Sequence, residues 1–293
     1  MTTELDWSAV VSDSVARALA EDLWADGDVS AALVPQESVA HFQLRARADG
    51  VLAGRDCADE TFRQLDPTLV LEWHAVDGDV LSPGFVVLDV TGSLRPILTA
   101  ERTALNFLGH LSGIATLTAR HVAAAHARNP KVQVLDTRKT TPGLRALEKA
   151  AVRAGGGVNH RLSLSDGVLV KDNHLAGVSI TDAVARARAL WPGRMVQVEC
   201  DEIEQVAEAA RAGVDAVLLD NMDPATVELA IATAQAEGPG VLTEVSGNIN
   251  LATIGDYAAA GPDRISVGAL THSAAVLDLG LDLIWRDDTS GGR

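Results

Sequence analysis

Short apolar, β-branched runs recur along the second half of the chain, at residues 132–135, 168–170, 195–198, 216–219, 241–245 and 265–267. Between them lie Ala-rich stretches with helical spacing, at 181–190, 202–212, 224–236 and 251–260. Buried parallel strands read as continuous apolar runs, and their alternation with helices of this length makes six βα units. That pattern predicts a (β/α) barrel, complete or one or two strands short. An open doubly wound sheet is disfavoured, because its Gly-x-Gly-x-x-Gly fingerprint is missing.

The first hundred residues differ. Residues 37–54 and 70–98 alternate in the strand manner, with turns at Asp49-Gly50, Asp77-Gly78-Asp79 and Ser82-Pro83-Gly84. A helix is expected over 11–32, and a long Ala- and Leu-rich helix from 99 to 128 bridges two domains. The tail at 276–285 alternates again, which predicts a return to the first domain. The organisation is therefore a first domain over 1–115, rejoined by 271–293, and a barrel over 116–270.

At 293 residues the chain has room for both. Its net charge of -16 argues against nucleic acid as the main partner, since phosphate backbones need a broad basic surface. No basic segment opens the chain and no apolar run reaches the ~20 residues that span a bilayer, so no membrane association is expected. Two cysteines, Cys57 and Cys200, form neither a disulfide framework nor a metal-ligand spacing, which points to a reducing cytoplasm. Residues 101–171 run against the overall charge, with eleven Lys or Arg and four acids. A local cationic cluster on an anionic protein focuses field toward a small anionic ligand.

Barrel sites are built just after the strands. Here the strand ends supply Asp136-Thr137-Arg138-Lys139, Lys171-Asp172-Asn173, Glu199, Asp220-Asn221, Glu244 with Ser246-Gly247-Asn248, and Gly268-Ala269. Arg138 and Arg161 offer planar forks for carboxylate or phosphate, while Lys139 and Lys171 are point charges. Glu199 and Asp220 can hold Mg²⁺ or sugar hydroxyls; the plainer reading is that they neutralise Lys139 and Lys171. Ser246-Gly247-Asn248 and Val267-Gly268-Ala269 put small residues ahead of helices, where bare N–H groups hold phosphate. His160 is a candidate donor to an anion or to a departing carboxylate.

These pieces together resemble the quinolinate phosphoribosyltransferase family. The resemblance rests on Glu101-Arg102-Thr103-Ala104-Leu105-Asn106-Phe107, Asp136-Thr137-Arg138-Lys139-Thr140-Thr141-Pro142-Gly143, Asn159-His160-Arg161 and Val170-Lys171-Asp172-Asn173-His174. Glu199, Leu219-Asp220-Asn221-Met222, Glu244-Val245-Ser246-Gly247-Asn248 and Ser266-Val267-Gly268-Ala269-Leu270 complete it. It implies an α/β fold with an N-terminal α/β sandwich and a C-terminal open barrel. The partners it implies are quinolinate, phosphoribosyl pyrophosphate with Mg²⁺, and a second copy of the chain. In that homodimer Arg102 serves the partner's site. Substrate binding falls on Arg102, Thr137, Arg138, Lys139, His160, Arg161, Lys171, Glu199, Asp220, Ser246, Gly247, Asn248, Val267, Gly268 and Ala269. Lys139, Lys171, Glu199 and Asp220 are the catalytic candidates, and Glu199 and Asp220 the metal candidates. The expected reaction joins quinolinate to the phosphoribosyl group with decarboxylation, giving nicotinate mononucleotide, CO₂ and pyrophosphate.

Three rival readings fit the residues less well. A related enzyme acting on nicotinate, or a transport-associated paralogue, is disfavoured by Asn159-His160-Arg161, since a second carboxylate needs the extra donors. A lipoyl-type carrier needs an acceptor lysine at its turn, and no lysine precedes Lys131. A barrel that only senses phosphosugars would not need Glu199 and Asp220 on adjacent strands.

Overall fold

The computed structural model describes residues 6–287. In chain order the elements are α1 (Trp7–Leu23), β1 (Val39–Ala46), β2 (Gly50–Val51), α2 (Arg55–Leu65), β3 (Val70–Trp73), β4 (Val80–Leu81), β5 (Val86–Ser93) and α3 (Leu94–His126). There follow β6 (Gln133–Leu135), α4 (Arg145–Ala154), β7 (Val168–Val170), α5 (Ile180–Leu190), β8 (Val196–Cys200), α6 (Ile203–Arg211) and β9 (Ala216–Asp220). The last are α7 (Pro224–Glu237), β10 (Leu242–Ser246), α8 (Ile254–Ala259), β11 (Arg264–Ser266), α9 (Ala269–His272) and β12 (Leu279–Asp287). Two compact units result. Among the described residues, 6–117, 141–156 and 274–287 make one; 118–140 and 157–273 make the other. Residues 1–5 and 288–293 of the expected first domain and tail lie outside the described residues.

In the first unit an antiparallel sheet runs in the order β12-β1-β5-β3. Alternation in β1 turns Ala40, Phe42, Leu44 and Ala46 inward, where they meet Leu88 and Val90 of β5, Phe62 of α2, and Ile97 and Leu108 of α3. The helix α3 begins five residues ahead of its expected start. The Leu94 amide donates to Ser38 O at 2.9 Å and Arg95 Nε to Val34 O at 2.7 Å, which turns the chain out of the sheet at Ser93. The returning tail passes α3 at backbone distance. A Cβ on Gly113 would stand 2.1 Å from Ala275 O, and Leu277 N donates to Gly109 O at 2.9 Å. Glycine inside a helix is otherwise unfavourable; here it makes room for a second backbone.

Residues 141–156 lie within the stretch expected to be barrel, yet they belong to this first unit. The reason is the face of α4. Leu147, Glu148, Ala151 and Val152 are buried, and Glu148 lies 2.9 Å from His110 Nε2 while accepting the Thr141 amide at 3.1 Å.

The second unit carries a parallel sheet in the order β6-β11-β10-β9-β8-β7. One further parallel bridge, Leu135↔Val158, extends it past β6, and no described ladder closes it back to β7. This is the six-stranded open (β/α) architecture that the apolar runs predict. Its helices start on side-chain caps where the sequence supplies them: Ser179 accepts the Asp182 amide before α5, and Asp223 caps α7 with Pro224 in its first turn. Among the described residues no helix is long and apolar enough to cross a membrane.

Candidate active site

Thr137, Arg138, Lys139, Lys171, Gly247, Asn248 and residues 267–269 follow the C-terminal ends of their strands; Asp220 and Ser246 are the last residues of β9 and β10, Glu199 the last but one of β8, and His160 and Arg161 follow the bridge residue Val158. The parallel register sets their neighbours. Val170 of β7 pairs with Val198 of β8, so Lys171 stands beside Glu199, and the Lys171 ammonium donates to Glu199 Oε2. The neutralising alternative thus holds for this pair: lysine and carboxylate are joined in the ligand-free chain. Lys139 is held differently. Its amide donates to Thr137 Oγ1 at 3.0 Å, its carbonyl accepts from Thr271 Oγ1 at 2.8 Å, and its stem passes Gly268. A Cβ on Gly268 would lie 3.0 Å from Lys139 Cδ, so the glycine lets the lysine lie close along the loop after β11.

The ends of β9 and β10 interlock. Asn221 and Asn248 both adopt left-handed backbone, at φ 55° and 51°. The Asn221 amide donates to Ser246 O at 2.9 Å, and its side chain donates to Asp220 Oδ2 at 2.7 Å, which fixes that carboxylate. Gly247, at φ 102°, is packed so closely that a Cβ there would meet Asn221 N at 2.8 Å. The helix expected from 251 begins only at Ile254, so loop groups rather than a helix end follow Ser246, whereas the single turn α9 starts at Ala269 directly behind its N-cap Gly268.

The Arg161 guanidinium is held below its ordinary value first by burial and then by the Arg138 charge, against a smaller opposing pull from Asp166. Its Nη1 donates to Gly167 O at 3.2 Å. Both arginines are half-buried. Arg161 also lines a cavity of about 250 Å³, together with Asn159, Gln133, Gln197 and Arg264 among others.

His160 packs inward. The Arg161 amide donates to His160 Nδ1 at 2.7 Å, so the ring proton sits on Nε2. That Nε2 faces Gln197 Oε1 at 3.2 Å and Glu244 Oε1 at 3.3 Å. Both nitrogens are therefore engaged inside the ligand-free barrel, and the ring orients its own loop. Glu244 is fully buried and also accepts from Gln197 Nε2 at 3.0 Å and from Ser266 Oγ. Burial pushes its carboxyl up, but the bonds from His160, Ser266 and Gln197 outweigh this and hold it below the usual carboxylate range. Gln197 was not among the sequence candidates. Its signal was there: period-two alternation in β8 puts Gln197 on the same face as Glu199.

Arg102 lies on α3, exposed, in the first unit. Among the described residues no group of three or more His, Cys, Asp or Glu converges as a metal cage.

Comparison with known proteins bears on the whole chain. The family described as quinolinate phosphoribosyl transferase, C-terminal domain, matches residues 114–282, and its N-terminal domain matches 28–112. A Mycobacterium leprae protein named nicotinate-nucleotide pyrophosphorylase [carboxylating] is 44% identical, covering 92% of this chain and 96% of that protein. A Bacillus subtilis protein, named as a probable enzyme of the same kind, is 40% identical over 88% of each. The structure of the nicotinate-nucleotide pyrophosphorylase from Francisella tularensis superposes with a TM-score of 0.89 at 38% identity, covering 94% of this chain and 96% of that one. With both domains matched in order along one chain, this protein belongs to the quinolinate phosphoribosyltransferase family.

Proposed function

We propose that this chain transfers the phosphoribosyl group of phosphoribosyl pyrophosphate to quinolinate and releases CO₂, giving nicotinate mononucleotide and pyrophosphate. The observation that carries the reading is the gathering of Arg138 and Lys139 after β6, Arg161 after the bridge residue paired to β6, and Lys171 after β7, on a chain of net charge -16. A dicarboxylate and a polyphosphorylated sugar are the ligands that repay such crowding of cations.

The pyridine nitrogen attacks C1 of the ribose as the bond to pyrophosphate breaks, and positive charge spreads over the ring as in glycosyl transfer. Arg138 and Arg161 hold the two carboxylates and so align the nitrogen. Thr137, Lys139 and Lys171 bind the departing pyrophosphate and stabilise its charge. Ser246, Gly247, Asn248, Val267, Gly268 and Ala269 seat the 5′-phosphate, and Asp220 and Glu199 accept the ribose hydroxyls. Arrival of the sugar releases Glu199 from Lys171. The C2 carboxylate then leaves as CO₂, its bonding pair stays on C2 beside the cationic ring nitrogen, and one proton is taken up there. Glu199 and Asp220, hard oxygen donors at the ends of the adjacent strands β8 and β9, would hold a Mg²⁺. Such an ion, when bound, supplies neutralisation of the leaving group.

In this reading the enzyme works as a homodimer, with the exposed Arg102 serving the site of a partner subunit. Two buried, unpaired cysteines suit a reducing cytoplasm.

The test is release of labelled CO₂ from carboxyl-labelled quinolinate with phosphoribosyl pyrophosphate and Mg²⁺, alongside nicotinate as acceptor. Release that requires the sugar, with nicotinate mononucleotide formed, is the expected result. Nucleotide from nicotinate alone would overturn the substrate, and silence with both would overturn the reaction.

A further inference from the structure

The buried carboxylate Glu244 takes no part in the reaction as drawn above. It sits two residues before Ser246 on the same face of β10, so it lies one layer deeper in the barrel. Removing a carboxylate from water costs several kcal/mol and needs good donors in return. Glu244 has them from three separate strand regions: Gln197 on β8, Ser266 on β11, and His160 after the bridge residue. The chain of bonds does not stop at the imidazole. His160 Nδ1 accepts the amide of Arg161 at 2.7 Å. From the other side, buried Asp136 accepts the His160 amide at 2.9 Å and the Asn159 side chain at 2.5 Å. Residues 159–161 are thus clamped between two buried carboxylates.

The clamp has a mechanical purpose. The Arg161 guanidinium is half-buried and carries its charge against burial and the like charge of Arg138, and an unpinned loop would let it turn out toward solvent. Pinning its backbone amide keeps this fork in place before the dianion arrives, so binding spends less on ordering it.

We propose that Glu244 and Gln197 are positioning residues for the dicarboxylate acceptor, acting on Arg161 through His160; this rests on the quinolinate reading above. Their hydrogen-bond pattern allows an isosteric test. In Glu244→Gln the new amide must turn a donor toward Gln197, or toward Ser266 and His160, all of which already donate. In Glu244→Gln/Gln197→Glu every bond is restored. The carboxylate at 197 accepts from His160 and from the amide at 244, whose oxygen accepts from Ser266.

Wild type and both variants would be assayed for CO₂ release with each substrate varied in turn. The expected result for Glu244→Gln is a KM for quinolinate raised about ten-fold, the loss of one charge-assisted hydrogen bond. Its KM for phosphoribosyl pyrophosphate should stay within about two-fold, and the exchanged double variant should recover most of the loss. Should Glu244→Gln fail to fold, Ser266→Ala removes a single donor and should move the quinolinate KM in the same direction, by less. An unchanged quinolinate KM, or equal losses for both substrates that the exchange does not rescue, would overturn the positioning role and leave the functional reading intact. A wild type inert toward quinolinate would sink both.

Discussion

Replacing Gly247 by Ala strikes the point where the loops after β9 and β10 lock together. The residue sits at φ 102°, where an L side chain is strained by about 1–3 kcal/mol. The added Cβ would also stand 2.8 Å from the amide nitrogen of Asn221, inside any real contact, so one of the two loops must move. That nitrogen donates to Ser246 O at 2.9 Å, and losing the bond adds about 1 kcal/mol. The sum, about 2–4 kcal/mol, corresponds to a fall in Tm of about 3–7 °C for a chain of 293 residues. Because Asp220 and Ser246 ride on the displaced segments, the KM for phosphoribosyl pyrophosphate should rise more than that for quinolinate. Thermal melting followed by circular dichroism, and initial rates with each substrate varied, measure both effects. A variant melting within 1–2 °C of wild type with an unchanged KM for the sugar would refute the interlocked-loop argument.

Three further outcomes follow from the same geometry. Lys171 is 42% exposed, so a double-mutant cycle with Glu199 should show a stability coupling below about 1 kcal/mol, while Lys171→Met loses about 100-fold or more in kcat/KM; full activity in Lys171→Met/Glu199→Gln would make the pair merely structural. Burial, with neighbouring acids, pushes the Cys57 and Cys200 thiols up to about 12, so neither should react with a disulfide reagent at pH 8 until denaturant is added; rapid labelling of the native protein would contradict this. Asp166 is desolvated, yet bonds from the Ser163 and Leu162 amides, the Ser163 hydroxyl and the Arg194 charge hold it below the usual range. Its stabilisation is present above the unfolded value near about 4 and lost as pH falls through the lower folded value. Urea midpoints from pH 6 to 3 should therefore fall less steeply in Asp166→Asn, and parallel curves would exclude the contribution.

The six barrel strands were legible because a buried parallel strand must be apolar along its length, and the polar residue ending each run marks where it leaves the sheet. Lys171, Glu199 and Asp220 could be read that way. Their mutual neutralisation could be read only as a set of two lysines and two carboxylates; that Lys171 closes on Glu199 follows from the β7–β8 register, which no local pattern encodes. His160 is a similar case. A histidine between Asn and Arg reads as a ligand donor or as packing, and only the three-dimensional approach of Gln197 and Glu244 shows what its ring meets in the ligand-free chain. The excursion at 141–156 was hidden because α4 is an ordinary amphipathic helix, and periodicity says which face is buried but not against what.

The pairing of β1 with β12 has a consequence for synthesis. β1 lies near the start of the chain and β12 near its end, and they pair from Val39↔Asp287 to Ala46↔Leu279. A ribosome adding about 5–20 residues per second makes β1 roughly ten to fifty seconds before its neighbour exists. During that interval one edge of β1 presents unpaired amides and carbonyls to the nascent chains around it. Vectorial folding, in which an early domain finishes before the next emerges, is closed to this topology. A product cut short before Leu279 would carry the exposed edge permanently, a template for strand exchange between incomplete chains.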